Sequence, residues 1–154
     1  MVVVVILGVC AVLAVPALGM WRYMHADHLG IIDDPAVSGP ATAACAKLAA
    51  AVDAVPPGPA ARVIHEQDDA IGDLIATMEA LGHERLQGDH PALGWVQDWR
   101  DLRTLRETYA DELEAGGQAT FTLPTVDGIP ISSRMSDPGV TCPVAVRLAT
   151  PPSS

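Results

Sequence analysis

A chain of 154 residues has room for one membrane segment and one small domain. Its formal net charge of −10, from 19 acidic against 9 basic residues, argues against nucleic acid as a partner. The same balance argues against a general attraction to anionic lipid, and 4% aromatic content leaves few anchors for a large hydrophobic interface.

Residues 2–20, VVVVILGVCAVLAVPALGM, run without a charge for about the length that spans a bilayer core as a helix. Trp21, Arg22 and Tyr23 follow, where an interfacial belt would stand. One reading is an uncleaved single-pass anchor over residues 1–22, with the lipid bilayer as its partner. The other is a secretory signal peptide with Ala17-Leu18-Gly19 as a small-x-small cleavage site. The missing positive n-region and the length of the apolar run favour the anchor. Arg22 alone barely decides orientation and, taken literally, points to a cytoplasmic C-terminus. The cysteines point the other way. Cys10 lies within the span, which leaves Cys45 and Cys142, without CxxC spacing, in the soluble part. A bridge between them is worth roughly 4–5 kcal/mol in the chain-entropy model. Two unpaired buried thiols are the alternative. A bridge needs an oxidising compartment, so the domain is expected on the extracytoplasmic side of the cytoplasmic membrane.

Residues 23–40 read as a juxtamembrane linker and residues 41–148 as a helical domain. A first helix runs from about Ala41 to Val55 and ends at Pro56-Pro57-Gly58-Pro59. A second runs from near Pro59 to Leu81, with Val63, Ile64, Ile71, Leu74, Ile75, Met78 and Leu81 forming one apolar stripe and Gly82 the stop. After the turn Gly88-Asp89-His90-Pro91, a third helix runs from about Ala92 to Glu114, and Gly116-Gly117 ends it. FTLPTVDGIPISSRM then alternates apolar and polar residues around Asp127-Gly128, a pair favoured in hairpin turns. Pro124 and Pro130 each remove a ladder donor, so any hairpin is short. Asp137-Pro138-Gly139 is a further turn, VTCPVAVRL a short strand or packed tail, and residues 149–154 a disordered end. The expected fold class is mainly α: an N-terminal transmembrane helix plus a small antiparallel three-helix bundle, with an irregular or short β-hairpin C-terminal tail.

The series CAKL, QDDAI, WVQDW, ETYADEL and DGIPISSRM, with a late cysteine, resembles a group of small exported or membrane-anchored actinobacterial proteins over about residues 41–148. The resemblance implies location and architecture and carries no function.

Three places invite chemistry. His65, Asp69 and Asp73 climb one helix face at i, i+4 and i+8, where adjacent pairs could share a cation. That face lies opposite the apolar stripe, so the plainer reading is a solvated acidic surface that also carries Glu66, Asp68 and Glu79. His25 with His28, and His83 with His90 and Asp89, are weaker metal candidates. No GxSxG, HExxH, SxxK or phosphate-binding glycine loop is present, and Ser132, Ser133 and Ser136 have no base at motif spacing. No cofactor is expected.

On the third helix, Trp95, Trp99, Leu102, Tyr109 and Leu113 share a core-facing side. Arg106 falls inside that stripe. It must be paired, with Glu66 or Asp73 as expected partners, or must snorkel along Trp99 to water. A third reading joins it to Arg103 and Tyr109 in an anion or partner site. The functional expectation is a non-catalytic, membrane-anchored extracytoplasmic accessory or scaffolding subunit of an envelope membrane complex. Its protein partner would meet the third-helix arginine edge or the 118–136 tail, whose Phe121, Ile129, Ile131 and Met135 are expected to be too many for so small a bundle to cover. The alternative is an exported ligand- or metal-binding helical domain. A small envelope enzyme using His65, Asp69 and Arg106 is unsupported.

Overall fold

A computed structural model of the chain describes residues 30–136 and 138–151. The expected anchor, its Cys10, and the pair His25 and His28 lie outside the described residues, as do residues 152–154. Among the described residues no helix is long and apolar enough to cross a membrane.

Helix α1 spans Pro35–Ala54 and so begins six residues before the expected Ala41. The cause is local. The Asp34 side chain caps the helix by accepting from the Ala36 N–H at 2.8 Å, and Pro35 sits in the first turn, where a missing N–H costs nothing. Pro40 is carried inside the helix, at the loss of one turn donor. Helix α2 spans Ala60–Glu79 and is followed by Gly82 at φ 91°. A short helix α3, His83–Gly88, occupies what the sequence suggested was only a turn. Helix α4 spans Ala92–Glu114, close to the expected bounds. The tail then forms a minimal antiparallel hairpin, β1 Thr125–Val126 with β2 Ile129–Pro130, in which Val126 faces Ile129. Asp127 and Gly128 both take positive φ, as a two-residue hairpin turn requires. Two short helices complete the chain: α5, Ile131–Ser136, and α6, Val144–Leu148. The segment VTCPVAVRL is therefore a packed tail rather than a strand, and its end is helical.

The long helices pack in order, α1 on α2 and α2 on α4. Helix α5 then packs on α4, and α6 packs on both α5 and α1. The two short helices thus stand where a fourth long helix would stand in a bundle, and they close the circuit from α4 back to α1. What closes it is apolar. Ile131, Met135, Val140, Val144 and Leu148 are buried in one core with Leu48 of α1, Ile71, Leu74 and Met78 of α2, and Trp95, Trp99 and Leu102 of α4. Fully burying a side chain of the Ile or Met class contributes about 1.5–3 kcal/mol, so this wall is an integral part of the core. Trp95 and Trp99 meet edge to face, with ring centroids 5.9 Å apart. A smaller cluster of Ala61, Ile64 and Ala110, flanked by Tyr109 and Leu113, fills the other end of the α2–α4 seam.

This packing corrects the expected partner surface on the tail. Ile131 and Met135 are fully buried, and half-buried Phe121 meets Tyr109 edge to face at 5.3 Å. Of the four apolar residues in question, only Ile129 remains open, at 50% exposure. Ala149, placed at the start of a disordered end, is also buried, and its N–H bonds to the carbonyl of Ala145 at 3.0 Å.

Candidate functional site

Among the described residues, the buried charged groups are Asp68, Asp89, Asp98 and Arg106. Arg106 is 1% exposed and binds three acceptors. Its Nε donates to Asp68 Oδ1 at 2.5 Å, one terminal nitrogen to the Leu148 carbonyl at 2.8 Å, and the other to Gln67 Oε1 at 2.6 Å. One guanidinium thereby ties α4 to α2 and to the C-terminal end of α6. The planar fork suits this task, since it presents several donors in fixed directions.

The expected partners of Arg106 are engaged elsewhere. Glu66 pairs with Arg62 one turn away, and Asp73 pairs with Lys47 of α1 at 2.8 Å. Snorkelling to water is also ruled out by the burial. Burial pushes the Asp68 carboxyl up to about 6 from its ordinary 3.8, against the lowering pull of Arg106. Asp68 Oδ2, Trp99 Nε1 and Arg103 Nε are buried with no hydrogen-bond partner. The Arg103 guanidinium lies over Gly72 of α2, about 3.5 Å from where a Cβ would stand, and pairs with Glu107 at 2.9 Å.

The same construction recurs at the other end of α4. Asp98 is 2% exposed and accepts from Arg134 Nε at 2.9 Å, which ties α4 to α5. Nearby, Trp95 Nε1 donates to the Met135 carbonyl at 3.2 Å. Asp89 accepts from the backbone N–H groups of Asp33 and Asp34, both at 3.3 Å, and so holds the start of α1 against the α3–α4 junction. Burial raises the carboxyls of both Asp98 and Asp89; Arg134 opposes the shift at Asp98, and the two N–H groups oppose it at Asp89. Cys45 of α1 and Cys142, just before α6, stand with Cα atoms 5.4 Å apart and their sulfurs at bonding distance. They fasten the closing wall to the first helix.

The candidate metal ligands are not brought together. His65 faces Glu114 at 3.6 Å, Asp69 is exposed and Asp73 is held by Lys47. His83 and His90 are exposed, whereas the Asp89 between them is buried against residues 33 and 34. Among the described residues no group of three His, Cys, Asp or Glu side chains could hold a metal ion. Of the three expected together, Arg106 lines a groove shared with Val52, Pro143, Val146 and Arg147. Tyr109 instead belongs to the small apolar cluster.

Sequence reasoning did not foresee these buried roles: it placed Asp68 on the solvated acidic face, where the structure buries it against Arg106, put Asp89 with His83 and His90, and passed over Asp98. For two of them the signal was there to read. Asp68 stands four residues after Ile64 and three before Ile71, and Asp98 stands three after Trp95 and four before Leu102. Both occupy stripe positions. Comparison with known protein families, characterised proteins and solved structures finds no match to this chain. The arrangement is therefore read from its geometry alone.

Proposed function

We propose that this chain is a non-catalytic accessory or scaffolding subunit, anchored by residues 2–20 and carrying its helical domain on the extracytoplasmic side of the membrane. The observation that carries this reading is how the buried charges are used. Asp68 and Arg106 together grip the end of α6, Asp98 grips α5, and Asp89 grips the start of α1. Each is engaged by partners within the fold: Arg106 by Asp68, Gln67 and the Leu148 carbonyl, Asp98 by Arg134, and Asp89 by two backbone N–H groups. The cysteine pair at bonding distance supports an oxidising location.

The test uses intact cells. A cysteine introduced at exposed Gln118 should react with a membrane-impermeant maleimide without lysis, and cross-linking before solubilisation should recover one reproducible membrane partner. Labelling only after lysis would overturn the location, and recovery of the chain alone would overturn the accessory role.

A further inference from the structure

Asp98 does not spend both of its oxygens on the fold. It is 2% exposed, and its Oδ2 accepts from Arg134 Nε at 2.9 Å. Its Oδ1 has no hydrogen-bond partner among the described residues. Nor is Oδ1 sealed in, since the described side-chain atoms that are buried without a partner are Asp68 Oδ2, Trp99 Nε1 and Arg103 Nε. It opens into a pocket of about 220 Å³ that Asp98 lines together with Gly30, Pro91, Trp95, Arg134 and Pro138. Burial already raises the Asp98 carboxyl against the pull of Arg134. A cationic donor brought to Oδ1 would offset the cost of holding that charge out of water.

Arg134 offers the complement. Its side chain is 33% exposed and, among the described residues, only its Nε is engaged. The edge formed by its two terminal nitrogens is left free, and such an edge holds a carboxylate by two parallel hydrogen bonds. Gly94 makes room for this guanidinium, because a Cβ there would stand 3.3 Å from Nη2. The other walls bring no free polar side chain: two are prolines, one is glycine, and Trp95 Nε1 already donates to the Met135 carbonyl.

The rim is fixed before any ligand arrives. The Ile32 N–H donates to the Pro138 carbonyl at 2.7 Å, and Asp89 holds the next two N–H groups. Gly139, at φ 79°, lies so close to Ile31 that a Cβ there would meet its Cγ2 at 2.3 Å. Residues 31–34 are thus gripped from two sides, by the α3–α4 junction and by the turn that follows α5.

We propose that this pocket binds a free α-amino acid with an apolar side chain. Its ammonium group would donate to Asp98 Oδ1, its carboxylate would accept from the terminal nitrogens of Arg134, and its side chain would lie against Trp95 and the two prolines. Charge and size select this class. The charges of Asp98 and Arg134 cancel, so an ion of one sign leaves one of them unmatched, whereas a zwitterion matches both. In an α-amino acid the two charged groups share one carbon, which suits two recognition groups that are themselves hydrogen-bonded neighbours. The volume falls below the roughly 300–1,000 Å³ of pockets for drug-sized ligands. The site goes beyond the accessory role and does not depend on the anchor.

The experiment titrates the full chain, solubilised in detergent, with L-leucine by isothermal calorimetry. Isoamylamine, which lacks the carboxylate, and isocaproate, which lacks the ammonium group, are the comparison ligands. L-leucine should bind saturably at one site per chain, and each comparison ligand at least about tenfold more weakly. Asp98→Asn and Arg134→Gln should each weaken L-leucine by a similar factor. Absence of saturable L-leucine binding overturns the proposal, as does a comparison ligand that binds as tightly as L-leucine. Both results need only the wild-type chain, so they hold even where a variant fails to fold. Unchanged L-leucine affinity in folded Asp98→Asn would place the binding elsewhere and also overturns it. None of these outcomes bears on the location or the accessory role, which the labelling and cross-linking in cells decide.

Discussion

Replacing Arg106 with methionine removes a charge that sits 1% exposed and is bound to three acceptors. Methionine fills much of the same volume, so the effect reports the lost interactions more than a cavity. The Leu148 carbonyl, Gln67 Oε1 and Asp68 Oδ1 lose their donor, and each buried polar group left unpaired costs about 1–3 kcal/mol. Asp68 escapes part of this penalty. Its carboxyl already titrates near 6 beside the arginine, and without Arg106 it rises further and takes up a proton at neutral pH. The expected loss is therefore about 3–5 kcal/mol, the range for breaking one side of a buried pair. In a domain of this size that is roughly a 10–20 °C fall in melting temperature, readable by circular dichroism on the detergent-solubilised chain. The double variant Asp68→Leu with Arg106→Met should recover more than half of the loss, because it leaves no buried charge behind. A single variant that melts at or above the wild-type temperature would refute the view that this pair holds the wall in place.

Asp68 also sets a pH dependence. Its folded value is raised from 3.8 to about 6, so the stabilising proton is fully bound in the folded state below about pH 4 and is lost as pH rises through 6. The wild-type melting temperature should therefore rise between pH 7 and pH 5 relative to that of Asp68→Asn; parallel curves for the two would contradict the assignment. Asp89 and Asp98 shift in the same direction and add to the effect. Cys142→Ser should lower stability by up to about 4.7 kcal/mol for a loop of this length, and reductant should then lower the wild-type melt but leave the variant unchanged. Gly139→Ala should cost about 1–3 kcal/mol in a chemical denaturation series, since the new Cβ meets Ile31 and the backbone is at φ 79°. A midpoint within error of wild type would show that the 31–34 grip yields easily.

Helices α2 and α4 were legible because period and breakers agreed at both of them. Where they disagreed, the reading slipped. Pro40 masked a helix start that Asp34-Pro35 announced, and the β-leaning composition around Val140–Val146 concealed a helix that tertiary packing imposes. The site was half legible. Periodicity alone put Arg106 on the wrong face and so demanded a partner, but it named Glu66 and Asp73. Both lie on the solvent side of α2, and the true partner, Asp68, sat unrecognised within the stripe. A carboxylate in an apolar register looks like a surface residue until the helix opposite supplies its arginine. That pairing spans 38 residues, beyond the reach of any local pattern.

The closing wall also bears on how the chain matures. During synthesis α1, α2 and α4 emerge first, and they can stack while one side of the core still faces water. Trp95, Trp99 and Leu48 wait there for Ile131, Met135 and Leu148. Cys45 waits longest, because its partner follows 97 residues later. Until then it is a free thiol, open to the wrong partner, beside an unfinished apolar surface. The last tenth of the described chain therefore decides when the domain stops being sticky. A truncation before Thr141 would leave a helical but aggregation-prone species, and a chaperone or oxidant acting on this chain has its window before that point.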